Sequence, residues 1–266
     1  MSTAEGPLFD PPVALASLSG EADAAWARQG AAYAGAAFLG GIALDEQTRA
    51  AAREMVDRER DEFLPPDPVA FVDEQLGALA DTEIVAGFNV RTASLEPLAD
   101  VATVCRDHGA ICEINAHCRQ DEMCATGTGE ALLTDAERLC EQVRVASEAG
   151  TAVSVKVRTE VDGVDLPALS RRLAEAGADI VHVDAMDSES VVGEVVDAAD
   201  AAVIANNEVR DRDSVHEYLA HGADAVSVGR PSDNPAVLER VRDAAVSWFA
   251  SENRSAGPAE RTEGSP

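Results

Sequence analysis

Lys156 is the one lysine among 21 basic residues. It lies in the apolar run Val155-Lys156-Val157-Arg158, and on an extended segment residues two apart point the same way. An ammonium among apolar neighbours is costly without an anionic or electron-rich partner. That partner is either a bound ligand or a carboxylate on a neighbouring strand such as Glu113. Asn115-Ala116-His117-Cys118-Arg119 holds a second reactive group. His117 and Arg119 favour a thiolate at Cys118, which makes it a candidate acid or base; the other reading is an inert thiol. His182 stands two residues before Asp184 and is either a structural histidine or a ligand contact.

These residues need elements to hold them. Short apolar runs recur at Val13–Leu18, Ala37–Gly40, Ile84–Asn89, Ala110–Asn115, Ala152–Val157, Ile180–Ala185, Ala202–Asn206 and Ala225–Val228. Strands apolar on nearly every residue belong to parallel sheets buried on both faces. Between them the spacing predicts helices at Leu95–His108 with Ser94 as N-cap, Thr134–Ala149, Leu166–Ala176, Asp213–His221 and Pro235–Ala250, several with acidic starts and glycine stops. Asp45–Ala80 is long for one crossover, and Leu64-Pro65-Pro66-Asp67-Pro68 splits it into two helices. Eight strands with helical crossovers imply an α/β fold of the (β/α)₈ TIM-barrel type. It is expected as a single domain over residues 1–251, followed by a polar, disordered tail over 252–266.

In such barrels the loops after the strands build the site. That rule gathers Asn89 and Arg91, then Asn115, His117 and Cys118, then Lys156 and Arg158, then His182 and Asp184. Asn206, Asn207 and Glu208 follow the seventh strand, and Gly229 and Arg230 the eighth. The last two turns lie where barrels commonly hold a phosphate on backbone N–H groups, with Arg230 as a bidentate donor. An ordinary tight turn is the alternative.

Composition narrows the class. The net charge of −28 argues against a basic nucleic-acid groove. With an Ala/Val-rich core and dispersed acids it resembles a halophile's protein, because molar salt shortens the Debye length to about 3 Å. No apolar run reaches the roughly 18 residues of a membrane span, and the first ten residues lack the pattern of a signal peptide, so a cytoplasmic location is expected. The five cysteines are then expected to be free thiols. Cys112, Cys118 and Cys124 lack the close pairs of zinc modules, and no metal is expected.

In order along the chain these segments resemble the flavin-dependent barrels of the tRNA-dihydrouridine synthases, with the dihydroorotate dehydrogenases as more distant relatives. Glu113-Ile-Asn-Ala-His-Cys118 is similar to the family's Asp-Ile-Asn-x-Gly-Cys-Pro, and Gly127-Thr-Gly-Glu-Ala-Leu-Leu133 to its Gly-x-Gly-x-x-Leu-Leu. Val155-Lys-Val-Arg-Thr159, His182, Ala205-Asn-Asn-Glu-Val209 and Val228-Gly-Arg230 follow the pattern from the third strand to the eighth. The resemblance implies FMN as cofactor, with Lys156 and His182 against its ring. Asn206, Asn207, Glu208, Gly229 and Arg230 would hold its phosphate. Asn89, Asn115, His117 and Arg158 would face substrate, Cys118 would deliver a proton, and NAD(P)H is the candidate electron donor.

His117 and Arg119 replace the family's glycine and proline. The first strand lacks the family's Ala-Pro-Met-x-x-x-Thr, and one helix and a tail cannot form its C-terminal tRNA-gripping domain. The expected function is therefore an FMN-dependent oxidoreductase acting on a C=C or C=N bond of a small, pyrimidine-like substrate. A tRNA-dihydrouridine synthase with a reduced RNA grip stands second, so tRNA is a less favoured partner. A barrel that only binds a phosphorylated ligand stands third.

Overall fold

The computed structural model describes residues 8–255. Eight parallel strands close into a barrel: β1 (Val13–Leu15), β2 (Ala36–Ala43), β3 (Val85–Arg91), β4 (Ile111–Asn115), β5 (Ala152–Arg158), β6 (Ile180–Asp184), β7 (Ala202–Asn206) and β8 (Ala225–Val228). Each pairs with its successor, and β8 returns to β1 with Val13 opposite Val226. The α/β barrel expected from the alternating pattern is the fold observed.

Two strands differ usefully from expectation. β1 ends three residues early, because the amides of Glu21 and Ala22 turn back to the Leu18 carbonyl. Ser17 and Leu18 thereby leave the ladder for the mouth. β2 instead runs on past two glycines to Ala43, with a register slip between Gly40 and Ile42. At Gly41 the chain passes so close to the Asn89 side chain that a Cβ would collide with it.

Strand alternation sorts the interior from the outer core. Outward residues such as Val155, Val157, Val181 and Val183 pack under the helices. Inward residues form layers, as barrel interiors do. The lowest is apolar, with Phe9, Phe38, Ile111, Ile180 and Ile204. Above it the inward positions turn polar.

Part of the acid excess works as helix caps. Asp23, Asp45, Asp67, Asp135, Asp165 and Asp211 each accept a backbone N–H of the turn they start, an arrangement worth about 1 kcal/mol each. Ser94 stands at the N-cap position but makes no side-chain cap bond. The long second crossover holds two helices, Glu46–Asp57 and Pro68–Gly77. Between them Phe63 bridges to Ile42, and Glu62 forms a buried ion pair with Arg91 at the end of β3. The last helix runs from Pro235 to Ser255. Residues 252–255, expected in the tail, are therefore helical, and residues 256–266 of that tail lie outside the described residues. No described helix is long and apolar enough to cross a membrane.

Candidate active site

The polar layer above the barrel floor converges on Glu113 of β4. Its Oε1 accepts from Asn89 Nδ2 at 2.7 Å, and its Oε2 from Ser154 Oγ at 2.9 Å and His182 Nδ1 at 2.8 Å. Burial alone would push this carboxyl up; the His182 ring bonded to it, the Lys156 ammonium and the Asn89 bond outweigh it and hold the group below the usual range. His182 moves down, chiefly through burial and against the pull of Glu113, so its ring is neutral at neutral pH. A carboxylate can only accept, so Nδ1 carries the proton and Nε2 accepts from Ser227 Oγ, 2.7 Å away.

Two chains of donors therefore run from the mouth to one carboxylate. On one side Asn206 Nδ2 donates to Ser227 Oγ at 2.7 Å. On the other Asn115 Nδ2 donates to Asn89 Oδ1 at 2.8 Å, and Asn115 Oδ1 accepts the Cys118 amide at 3.0 Å. That last bond positions the Cys118 loop. Gly129 seals it from above: its φ is +62°, a Cβ there would run into the Cys118 carbonyl, and the next amide donates to that carbonyl at 2.8 Å. Glu130 then takes Arg158 in an ion pair at 2.7 Å. The Gly127–Leu133 segment thus ties the Cys118 loop to β5.

Above this layer two adjoining cavities open, of about 650 Å³ and 370 Å³, within the size range of small-ligand sites. Lys156, Asn206, Asn207, Glu208, Gly229 and Arg230 border the smaller. Asn115, His117, Cys118, Arg158, Asn207 and Arg230 border the larger. His117 and Asp184 border both and mark the seam between them. Asn89 and His182 border neither; they lie beneath, in the Glu113 network.

The mouth lacks the satisfaction of the layer below. Among the described residues Lys156 is buried with no hydrogen bond or ion pair, so the ion pair with Glu113 allowed by the sequence is not formed. Burial pushes its ammonium down, with Glu113 and Asp184 opposing. Asp184 Oδ1 and Arg158 Nε are buried without partners, and Arg230 is exposed with none among the described residues. His117 Nδ1 lies 3.8 Å from Asp184 Oδ2. Burial first, and then the cations of Lys156, Arg91 and Arg158, push its ring well below the ordinary imidazole range. At the phosphate-type turns, Asn207 and Glu208 take positive φ, Glu208 is paired with Arg210, and nothing stands within 4 Å of a Cβ built on Gly229.

A protein-family model described as Dihydrouridine synthase (Dus) matches residues 86–260, well over half of the chain. The chain belongs to the dihydrouridine synthase family. Its class is accordingly that of a flavin-type, TIM-barrel oxidoreductase. The match begins in β3, which leaves β1, β2 and the long second crossover outside it. A relative from Methanocaldococcus jannaschii, described as "Uncharacterized protein MJ0144", is 27% identical over 235 residues, 84% of this chain and 89% of that protein. Among solved structures a FabK mutant from Thermotoga maritima matches with a TM-score of 0.56 at 17% identity. The alignment covers 83% of this chain but only 61% of that one. A tryptophan synthase complex chain from Pyrococcus furiosus matches at 0.55 and 13% identity, covering 91% of this chain and 99% of the other. At such identities the likeness is one of fold.

Several residues at this dihydrouridine synthase-family site were not singled out by sequence reasoning. Glu113 entered as a possible partner for Lys156 and as the first residue of a family-like motif, with no role of its own, although its alternation with Asn115 marks it as inward-facing. Asp184 stood at a strand end without an assigned role. Glu59, Arg60, Asp61 and Glu62 of the second crossover border the larger cavity, and no local motif announces that a crossover folds over the mouth.

Proposed function

We propose that the protein is an FMN-dependent oxidoreductase acting on a C=C or C=N bond of a small, pyrimidine-like ring. The observation that carries this reading is Lys156: a buried lysine with no partner among the described residues, on the wall of a cavity. Along the same cavity the open backbone at Gly229 and the unpaired Arg230 suit a phosphate. The donor set and the open turn fit the cofactor.

Bound there, FMN would supply hydride chemistry. Lys156 would hold positive charge against its ring, while Asn206, Asn207, Gly229 and Arg230 would hold the phosphate end. The charge of Glu208 is taken up by Arg210. His182 has both ring nitrogens engaged and would act from beneath, keeping Ser227 and Asn206 oriented. In the larger cavity Asn115, His117 and Arg158 would orient the substrate, and Cys118 would hold the proton that a reduced carbon takes up. NAD(P)H is the candidate electron donor.

The test is a visible spectrum and FMN titration of the full chain in molar KCl. Wild type should show a flavin spectrum or take up FMN, while Lys156→Ala and Arg230→Ala should bind FMN about tenfold or more weakly. A wild type that stays colourless with FMN, or variants that bind equally, would overturn the reading. The family match favours a second reading, dihydrouridine formation in tRNA. Its test is the dihydrouridine content of tRNA incubated with the loaded enzyme and a reductant.

A further inference from the structure

Lys156 of β5 and Asp184 of β6 carry opposite charges on neighbouring strands and border the same cavity, yet they are not paired with each other. Each keeps an unused polar atom: the ammonium has no partner among the described residues, and Asp184 Oδ1 is buried without one. Left to themselves in a low-dielectric mouth, such charges gain by closing into an ion pair. His117 Nδ1 is 3.8 Å from Asp184 Oδ2, too far for a hydrogen bond. Its ring, held neutral by burial and by the surrounding cations, brings no countercharge. The other cation beside Asp184 in the strand register, Arg158, is taken by Glu130.

What completes this arrangement is a ligand with an acceptor and a donor side by side. We infer that Asp184 and Lys156 together read the imide edge of a planar ring, the Asp184 carboxylate turning an oxygen to the cavity to accept the ring N–H and Lys156 Nζ donating to the adjoining carbonyl. Asp184 is then a specificity-determining residue: a ring alkylated on that nitrogen, or one presenting only acceptors there, sets a lone pair or methyl against a buried carboxylate. Two rings relevant to this site carry such an edge, the isoalloxazine of FMN and a uracil base. The inference rests on the proposed function only for the first of them.

The experiment measures binding to the full chain in molar KCl with two matched pairs of probes: FMN against its N3-methyl analogue, and uridine against N3-methyluridine, the latter with and without FMN. The expected result is about a 10- to 100-fold preference for the unmethylated member of one pair. Asp184→Ala should abolish that preference, and Asp184→Asn, which keeps the shape and one acceptor, should narrow it. A preference confined to the FMN pair assigns the carboxylate to the cofactor; one confined to the uridine pair assigns it to substrate. Equal affinities within both pairs in the wild-type protein overturn the inference whatever the variants do. If FMN does not bind but the uridine pair is discriminated, the flavin reading falls and the role of Asp184 stands. FMN binding without discrimination in either pair gives the reverse, and binding of neither probe overturns both.

Discussion

Two polar layers lie one above the other inside this barrel, and they treat their charges in opposite ways. Around Glu113 every inward donor has found its acceptor: Asn89, Ser154 and His182 meet one carboxylate, with Asn115 and Ser227 behind them. Nearer the mouth, Lys156, Arg158 Nε, Asp184 Oδ1 and Arg230 have no partners among the described residues. Folding selects for the first arrangement, because an unsatisfied buried group costs about 1–3 kcal/mol. The second arrangement costs stability unless a ligand supplies the partners, as the proposed function has it. Burial by itself does not distinguish them: Lys156 and Glu113 are both inside, and only the count of partners separates scaffold from site.

The largest effect should come from breaking the satisfied layer. Glu113→Ala would strand Asn89, Ser154 and His182 at once, at a cost of about 3–5 kcal/mol. Urea denaturation in molar KCl measures it, and a loss below about 1 kcal/mol would erase the contrast between the layers. The same carboxylate sets a pH signature. Its folded pKa lies below the ordinary 4.5, so its stabilisation is present above that value and is lost as pH falls through the folded pKa. His182 and His117 resist protonation in the folded state. Stability should therefore begin to fall already as the pH drops below about 6.5, and melting temperatures followed from pH 8 down to about pH 2 would show both stages in the wild type. Glu113→Ala should lack the lower one.

In the upper layer the sign should reverse. Lys156→Met removes a buried cation that no described residue pairs, so the cofactor-free protein should gain about 1–2 kcal/mol while losing FMN affinity. The folded pKa of Lys156 lies below 10.5. The unfolded chain thus holds the extra proton between that lowered value and 10.5, and wild-type stability should rise with pH across this window through this group. The variant should lack that component. Destabilisation by Lys156→Met, measured in the same denaturant series, would mean that the lysine is scaffold and that the two layers are one.

The sequence shows the fold more fully than the site for the same reason. Strand runs such as Ala202–Asn206 and Ala225–Val228 are local patterns, and the structure reproduces both boundaries. The ends of β1 and β2 are less legible because they depend on contacts across the mouth, where a turn closes on Leu18 and Gly41 yields to Asn89. Lys156 could be read because it is the single lysine of the chain, and its solitude signals selection. The weight of Glu113 and Asp184 is invisible in one dimension. One carboxylate has three donors and the other a bare oxygen, and that difference is set by residues on other strands. His182 shows the converse: its type and position suggested a ligand contact, but both of its nitrogens are spent inside the network.

The smallest expected effect on stability is also a sharp test of where the site begins. Gly129 and Gly229 look alike in sequence, each in a loop after a strand. Gly129 has φ +62° and is pressed against the Cys118 carbonyl, so a side chain there is both strained and blocked. Gly229 has φ −87° and open space where a Cβ would go, so no neighbouring atom blocks a small side chain. Gly229→Ala should therefore change the stability of the cofactor-free protein by no more than about 1 kcal/mol. If a phosphate approaches that backbone, the added methyl should still weaken FMN binding several-fold, because it occupies the space the ligand oxygens need. Unchanged stability with weakened binding places Gly229 in the site; unchanged binding would make it an ordinary turn and move the phosphate elsewhere along the mouth.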